Sequence, residues 1–239
     1  MDWRSLGLAA AALLAGCADK AQGPFAGVEG RRLADLDLSA KPTGLILLAP
    51  DDVRLRQGEN LAITVDGDSA VTDALRFTIH EGRLAVLRRP GAGSGGKAVI
   101  NVTMPAPASL VAAGSGCIAA ESLAPKADVT IAGSGDIETL AVASEVLKVT
   151  IAGSGTYRAA GTAGALDMTI AGSGDAEMDA LKAESASIRI LGSGRSAFAS
   201  DGAIRAAIAG SGEVRVRGQA RCEVKATGSG KLVCEPAPS

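Results

Sequence analysis

Few residues in this chain have types suited to chemistry. There are four cysteines (Cys17, Cys117, Cys222 and Cys234), a single histidine (His80) and a scatter of acidic residues that follow glycine-rich turns. One histidine excludes most multi-histidine metal sites and a histidine-based triad. No metal site and no cofactor are expected. A net charge of -2 carries no basic signature for nucleic acid. Hydrophobic residues make up 47% of the 239, so the chain can bury a core, but aromatics make up only 2% and that core must be aliphatic. With 31 glycines, the composition points to many tight turns packing small side chains.

Cys17 ends an apolar run, LGLAAAALLAG (6–16), that is too short to span a bilayer. Leu14-Ala15-Gly16-Cys17 resembles the lipobox of bacterial lipoproteins. The resemblance implies a signal peptide at 1–16, cleavage before Cys17, and acyl chains (palmitate among them) on its sulfur and new amino group. Such an anchor makes the membrane a partner through Cys17. The alternative is an ordinary secretory signal with an incidental cysteine. Ala18 is not the aspartate that resembles an inner-membrane retention signal, which favours the outer membrane, at its periplasmic face or the cell surface. Residues 17–30 read as anchor and tether.

Gly-Ser-Gly organises the rest. Its first glycines are Gly114, Gly133, Gly153, Gly172, Gly192, Gly210 and Gly228, at spacings of 18 to 20. Four positions before them stand Leu110, Val129, Val149, Met168, Ile188, Ala206 and Val224; two before stand Ala112, Ile131, Ile151, Ile170, Ile190, Ile208 and Ala226. Between these columns lie mostly polar residues. This period-two alternation is a strand with one buried face. After each corner a polar column (Cys117, Asp136, Thr156, Asp175, Arg195, Glu213, Lys231) precedes a mostly apolar one (Ile118, Ile137, Tyr157, Ala176, Ser196, Val214, Leu232). The pattern predicts an all-β fold: a single-stranded β-helix, or β-solenoid, with coils of about 19 residues and GSG corners. The corner glycines suit positive φ and close approach between coils, and the serine between them suits a bond to local backbone. At roughly 4.8 Å per coil, the six intervals span about 29 Å. A hairpin array would also put strands on both sides of GSG, but it explains identical columns less well.

Residues 31–109 lack this period but hold short strands at 45–48, 53–56, 61–65, 75–79, 84–87 and 99–104, with turns at Gln57-Gly58, Asp66-Gly67 and Glu81-Gly82. GAGSGG (91–96) reads as a loop, because no Lys-Ser/Thr follows to complete a phosphate cradle. The runs VRLRQGENLAITVDGD (53–68), ALRFTIHEGRLAVL (74–87) and VINVTMPAPASLVAAGSGCI (99–118), followed by repeated IAGSGD, resemble the bacterial head GIN domain family. That family carries an auto-transporter adhesin label. The resemblance covers residues 31–234 and implies a β-helix-like fold on an exported, often lipid-anchored protein without catalytic residues. The predicted domain is 31–236, with an N-terminal β-rich part (31–109) and the repeat coils (110–236).

Cys222 lies six residues before Gly228 and Cys234 six after, both in inward-facing columns. A Cys222–Cys234 disulfide would close the last coil, where no further coil covers the core; two free thiols are the alternative. Cys117, in the first GSG coil, lies too far along the stack to join them and is a free thiol or an intermolecular link. The acidic residues after the corners superficially resemble calcium-binding β-rolls, but those repeat every nine residues and here the acidic column is interrupted by Thr156, Arg195 and Lys231. Opposite charges instead fall on adjacent coils, predicting ladders such as Glu138–Arg158–Glu177 and Arg195–Glu213–Lys231. Asp136 and Asp175, two coils apart at roughly 9.6 Å, sit at the upper limit for a glycosidase pair. His80 reads as a surface strand residue. Residues 129–182 carry seven acidic and three basic groups, whereas 183–239 carry five acidic and eight basic. That asymmetry reads as chance variation on a solvated surface; the alternative is head-to-tail or lateral self-association, which opposite ends would favour.

The favoured reading is a non-enzymatic, lipid-anchored envelope protein that binds an envelope protein or polysaccharide through exposed strand faces, as an adhesin would. The alternatives are a self-associating structural envelope component and, behind it, a carbohydrate-active enzyme.

Overall fold

A computed structural model describes residues 30–92 and 95–236. The signal segment, Cys17 and the tether up to residue 29 lie outside the described residues. The N-terminal part comprises β1 (Gly44–Leu47), β2 (Asp52–Gln57), β3 (Ala62–Asp66), a one-turn helix α1 (Ser69–Thr72), β4 (Leu75–His80), β5 (Arg83–Arg88) and β6 (Val99–Met104). Each of the six short strands read from the sequence overlaps one of these. The repeat region follows with β7 (Ser109–Gly114), β8 (Cys117–Ser122), β9 (Lys126–Gly133), β10 (Asp136–Gly153), β11 (Thr156–Gly172), β12 (Asp175–Gly192), β13 (Arg195–Gly210), β14 (Glu213–Arg217), β15 (Arg221–Gly228) and β16 (Lys231–Glu235).

Every pairing in the repeat region is parallel, with equivalent residues on neighbouring coils. Ile131 lies on Ile151, Ile151 on Ile170, Ile170 on Ile190 and Ile190 on Ile208. This is a β-solenoid, since a hairpin array would pair its strands antiparallel.

Strand β10 explains the cross-section. Its inward residues are Ile137, Thr139, Val142, Ser144, Leu147, Val149 and Ile151, and the alternation slips where two successive residues face out, at Leu140-Ala141 and Glu145-Val146. Each slip turns the chain through a corner, and Gly-Ser-Gly makes the third. The coil is thus a three-sided prism whose sides are short strands. The uneven spacing of the repeat is absorbed away from the GSG corners: β10 carries one extra residue against β11 between Thr139 and Val142, and β12 bulges against β13 beyond Met178.

The interior is narrow, and volume is conserved within each coil. The column after the corner and the one two residues on compensate each other: Ile137 with Thr139, Tyr157 with Ala159, Ala176 with Met178, Ser196 with Phe198. All eight are buried. Close packing requires this, because a coil cannot swell without lifting its neighbours off their hydrogen bonds. Ser196 accepts a cost here: its buried hydroxyl has no hydrogen-bond partner.

The N-terminal part belongs to the same solenoid, stacked out of chain order. β1 lies between β7 and β5, and β2 lies between β8 and β6, all parallel. The β1–β2 turn is therefore sandwiched between the β7–β8 turn and the outermost β5–β6 turn. Strand β3 then pairs antiparallel with β6, and β4 antiparallel with β5 through the turn at Glu81-Gly82. These two antiparallel strands close the N-terminal end.

The corners depend on glycine at two distinct points. Gly172 has φ +125°, a conformation that L side chains rarely adopt, and its position faces the Gly153 carbonyl of the coil below. Gly174 has an ordinary φ, but a Cβ there would stand 2.7 Å from the Gly155 carbonyl oxygen and 2.5 Å from Ile151 Cγ2. Gly172→Ala is expected to cost about 1–3 kcal/mol in backbone strain alone. Ser173→Ala, at the exposed tip, should stay within about 0.5 kcal/mol of the native chain. Denaturant midpoints of the two variants check this ordering.

Candidate binding surface

Two of the solenoid's sides carry their outward residues in register, and charge is arranged along them by the coil spacing. On the side after the GSG corner, Arg158 Nε donates to Glu177 Oε2 on the next coil at 2.8 Å. Arg195 forms a two-pronged bond back to Asp175, Nε to Oδ1 at 3.1 Å and Nη2 to Oδ2 at 2.9 Å. Lys231 approaches Glu213 at 3.5 Å, and Arg215 pairs with Glu213 along the strand at 3.1 Å. The Arg158–Glu177 and Glu213–Lys231 rungs of the expected ladders form. Arg195 turns both prongs of its guanidinium to Asp175 instead of Glu213, which is paired with Arg215 and Lys231. A shallow depression lies among these groups, floored by Ala176, Ser196 and Ala197 and rimmed by Asp175, Glu177 and Arg215.

The side before the corner repeats the scheme. Lys148 pairs with Asp128 at 3.2 Å, Arg189 with Asp167 at 3.6 Å and Arg205 with Glu223 at 3.4 Å, each across one coil step. Thr130, Thr150 and Thr169 stack between these charges. All are exposed or half-exposed, so each pair contributes under about 1 kcal/mol. Their main effect is to avoid like charges on adjacent coils and to leave a surface of alternating sign.

Asp136 and Asp175 are each engaged by a different partner. Thr156 lies between them in the ladder and donates its backbone N–H to Asp136 Oδ1 at 2.9 Å, while Asp175 is held by Arg195. Cys117 is half-buried, and burial, followed by the nearby Asp52 charge, pushes its thiol above the ordinary range despite Lys97. It is therefore a protonated thiol at neutral pH. His80 is exposed at the end of β4, 3.8 Å from Glu81. The corner serines bond the preceding coil by backbone N–H, where the sequence points to a bond with local backbone: Ser134 donates to the Gly114 carbonyl at 2.9 Å and Ser173 to that of Gly153 at 3.0 Å.

Two polar constellations escape sequence reading. Asp51 is fully buried and paired with Arg88, whose Nε donates to Oδ2 at 2.8 Å; Asp51 also accepts the Ala98 N–H at 2.8 Å, and Arg88 reaches the Gly96 carbonyl at 3.0 Å. This knot fastens the loop entering β6 to the corner between β1 and β2. The Asp51 hydrogen bond holds the Arg88 guanidinium even more firmly protonated. Nothing in the sequence marks Asp51, because its partners lie 37 and 47 positions away. The second is Tyr157, whose hydroxyl donates to Thr139 Oγ1 at 3.3 Å inside the core. Burial pushes its pKa up to about 12.

The structure joins Cys222 to Cys234, with Cα atoms 6.8 Å apart. The Cys222 column faces inward in the preceding coils, where Ala127, Leu147, Leu166, Ala186 and Ile204 are buried, and so does the Cys234 column, with Met178, Phe198 and Val216 buried. At this last coil both cysteines are exposed, since nothing among the described residues stacks beyond them.

The family described as "Putative auto-transporter adhesin, head GIN domain" matches residues 41–220. The chain belongs to the head GIN domain family. A comparison with curated proteins finds no match. Among solved structures, this head GIN chain is similar to a putative adhesin from Bacteroides fragilis, at a TM-score of 0.74 and 17% identity over 84% of this chain and 94% of that one. It is also similar to a putative lipid binding protein from Parabacteroides distasonis, at 0.65 and 19% over 85% and 95%. A putative adhesin from Parabacteroides merdae gives 0.56 and 18% over 84% and 94%. At these identities the likeness is one of fold. The family is described as an adhesin family and not as an enzyme family.

Two outcomes follow for the head GIN core. The disulfide closes a loop of 12 residues' separation, so reduction or Cys222→Ser should cost about 2–3 kcal/mol, read as a lowered midpoint in reductant. Tyr157 has a folded pKa above its unfolded value near 10, so its contribution is intact below about pH 10 and is lost as pH rises towards 12. Titrating this lone tyrosine by its tyrosinate absorbance should show ionisation coupled to alkaline unfolding. Tyr157→Phe should remove that component of the alkaline transition.

Proposed function

We propose that this head GIN chain is a non-enzymatic binding protein of the bacterial cell envelope. Lipid on Cys17 anchors it to the outer membrane, and its charged outer sides engage an envelope protein or polysaccharide. The domain is 31–236, set off from the membrane by the tether at 17–30. The observation that carries the reading is the pair of long, rigid sides on which acidic and basic groups alternate from coil to coil. Such a surface suits many weak polar contacts with an extended partner, whereas one deep pocket would suit a small ligand. The family's adhesin description supports this, as does the adhesin label of two structural neighbours. The lipid-binding label of a third belongs to the same class of non-catalytic role. A carbohydrate-active enzyme is disfavoured because Asp136 and Asp175 are each engaged and separated by Thr156.

The test has two arms. Cys17→Ser should abolish palmitate labelling and move the protein from the membrane fraction to the soluble one. Reversing Arg158 and Arg195 to Glu should weaken binding to isolated envelopes several-fold in low salt, in keeping with exposed charges worth under about 1 kcal/mol each. Membrane retention of the Cys17→Ser protein would remove the anchor. Undiminished envelope binding by the charge-reversed protein would remove the binding sides.

A further inference from the structure

The two ends of the solenoid differ. At the N-terminal end β4 runs antiparallel to β5, and its outer edge is met by Arg31, which exchanges two 2.8 Å backbone bonds with Phe77. At the other end β15 is paired with β13 on one edge only, and each of its eight residues is exposed. The inward column that fills the core elsewhere surfaces here as Cys222, Val224 and Ala226, with Val224 46% exposed. A bare strand edge flanked by core residues invites another strand. The β4 edge of a second copy is met at its centre by Arg31, which obstructs stacking one copy's last coil on another's first on this side.

We propose that two copies of this chain associate tail to tail, pairing β15 with β15 antiparallel about a twofold axis through Val224. The charges select this register. With Val224 opposite Val224, Glu223 faces Lys225 of the partner subunit, twice by symmetry, Arg221 faces Thr227 and Cys222 faces Ala226. A shift of two residues, which keeps the same faces aligned, puts Glu223 against Glu223 or, the other way, Lys225 against Lys225, and like charges directly opposite are destabilising. Within its own chain Glu223 is met by Arg205, while Lys225 has no ion pair among the described residues. The twofold pairing supplies one. It also covers Val224 and Ala226 and continues the sheet through the interface, an isologous contact that closes at two copies. This association goes beyond the envelope-binding role and is independent of both ligand and anchor.

The test uses the full chain carrying Cys17→Ser, so that no lipid drives assembly, in sedimentation equilibrium across a concentration series. The native edge should give a monomer–dimer equilibrium that stops at two. Val224→Lys should raise the dissociation constant at least about ten-fold, by placing two ammonium groups on the axis. Glu223→Lys should also weaken the dimer, and the double variant Glu223→Lys with Lys225→Glu should restore it. Because these side chains are exposed, thermal midpoints of the monomers should match. A monomer at every concentration would overturn the proposal, including the case in which residues 1–29 cover the edge. So would association that passes beyond two copies or ignores Val224→Lys, since the contact would then lie on the sides of the prism.

Discussion

Everything in this molecule depends on the backbone contact between successive GSG corners. The serine N–H of one coil donates to the first glycine's carbonyl on the coil below, at 2.9 Å from Ser154 to Gly133 and again from Ser193 to Gly172. One residue past the corner the bond recurs, from Asp175 to the Gly155 carbonyl at 3.1 Å and from Lys231 to that of Gly212 at 3.0 Å. Backbones approach this closely only where no Cβ intervenes, so both glycines of each corner are required, one for its φ and the other for space. Once the corners stack, the coil rise is set. Each inward residue must then lie on its equivalent, and each outward charge on its neighbour's.

That constraint makes the interior a problem of volume. A corner held to the rise of a β-ladder cannot adjust to a larger core residue, so adjacent inward columns trade size within a coil. Tyr157 is tolerated beside Ala159, and Phe198 beside Ser196, at the cost of one unpaired buried hydroxyl. Length variation is excluded from the corners for the same reason and appears as bulges on the return side, as between Met178 and Lys182 of β12. The return side is where the solenoid adapts, whereas the other two sides keep their register from coil to coil.

A stack of identical coils leaves two ends, and each is handled differently. At the N-terminal end the antiparallel strands β3 and β4 close the prism, with the buried Asp51–Arg88 pair tying the outermost turn to the next. Removing either partner would leave an uncompensated charge inside, at a large cost. At the other end the Cys222–Cys234 bond joins the final two strands, above which no coil lies among the described residues. Among the described residues the outer edges of β15 and β16 are left open, and there the regularity of the coils is presented to solvent as backbone.

The sequence by itself determined the repeat, and with it the solenoid, its corners, the inward columns and the alternating charges. These properties are periodic, and parallel in-register stacking converts a one-dimensional period into a three-dimensional contact. The short strands of residues 31–109 were equally legible, from Leu45 to Met104, because alternation and turn residues are local signals. Their order was not. That β1 and β2 lie between β5–β6 and β7–β8 is decided by which edges remain free when the chain returns, a long-range matter without local signature. The Asp51–Arg88 knot, the turning of Arg195 to Asp175 and the openness of β15 share that origin. Each depends on residues far apart in the chain whose proximity exists only once the prism has closed, and so only the tertiary structure decided them.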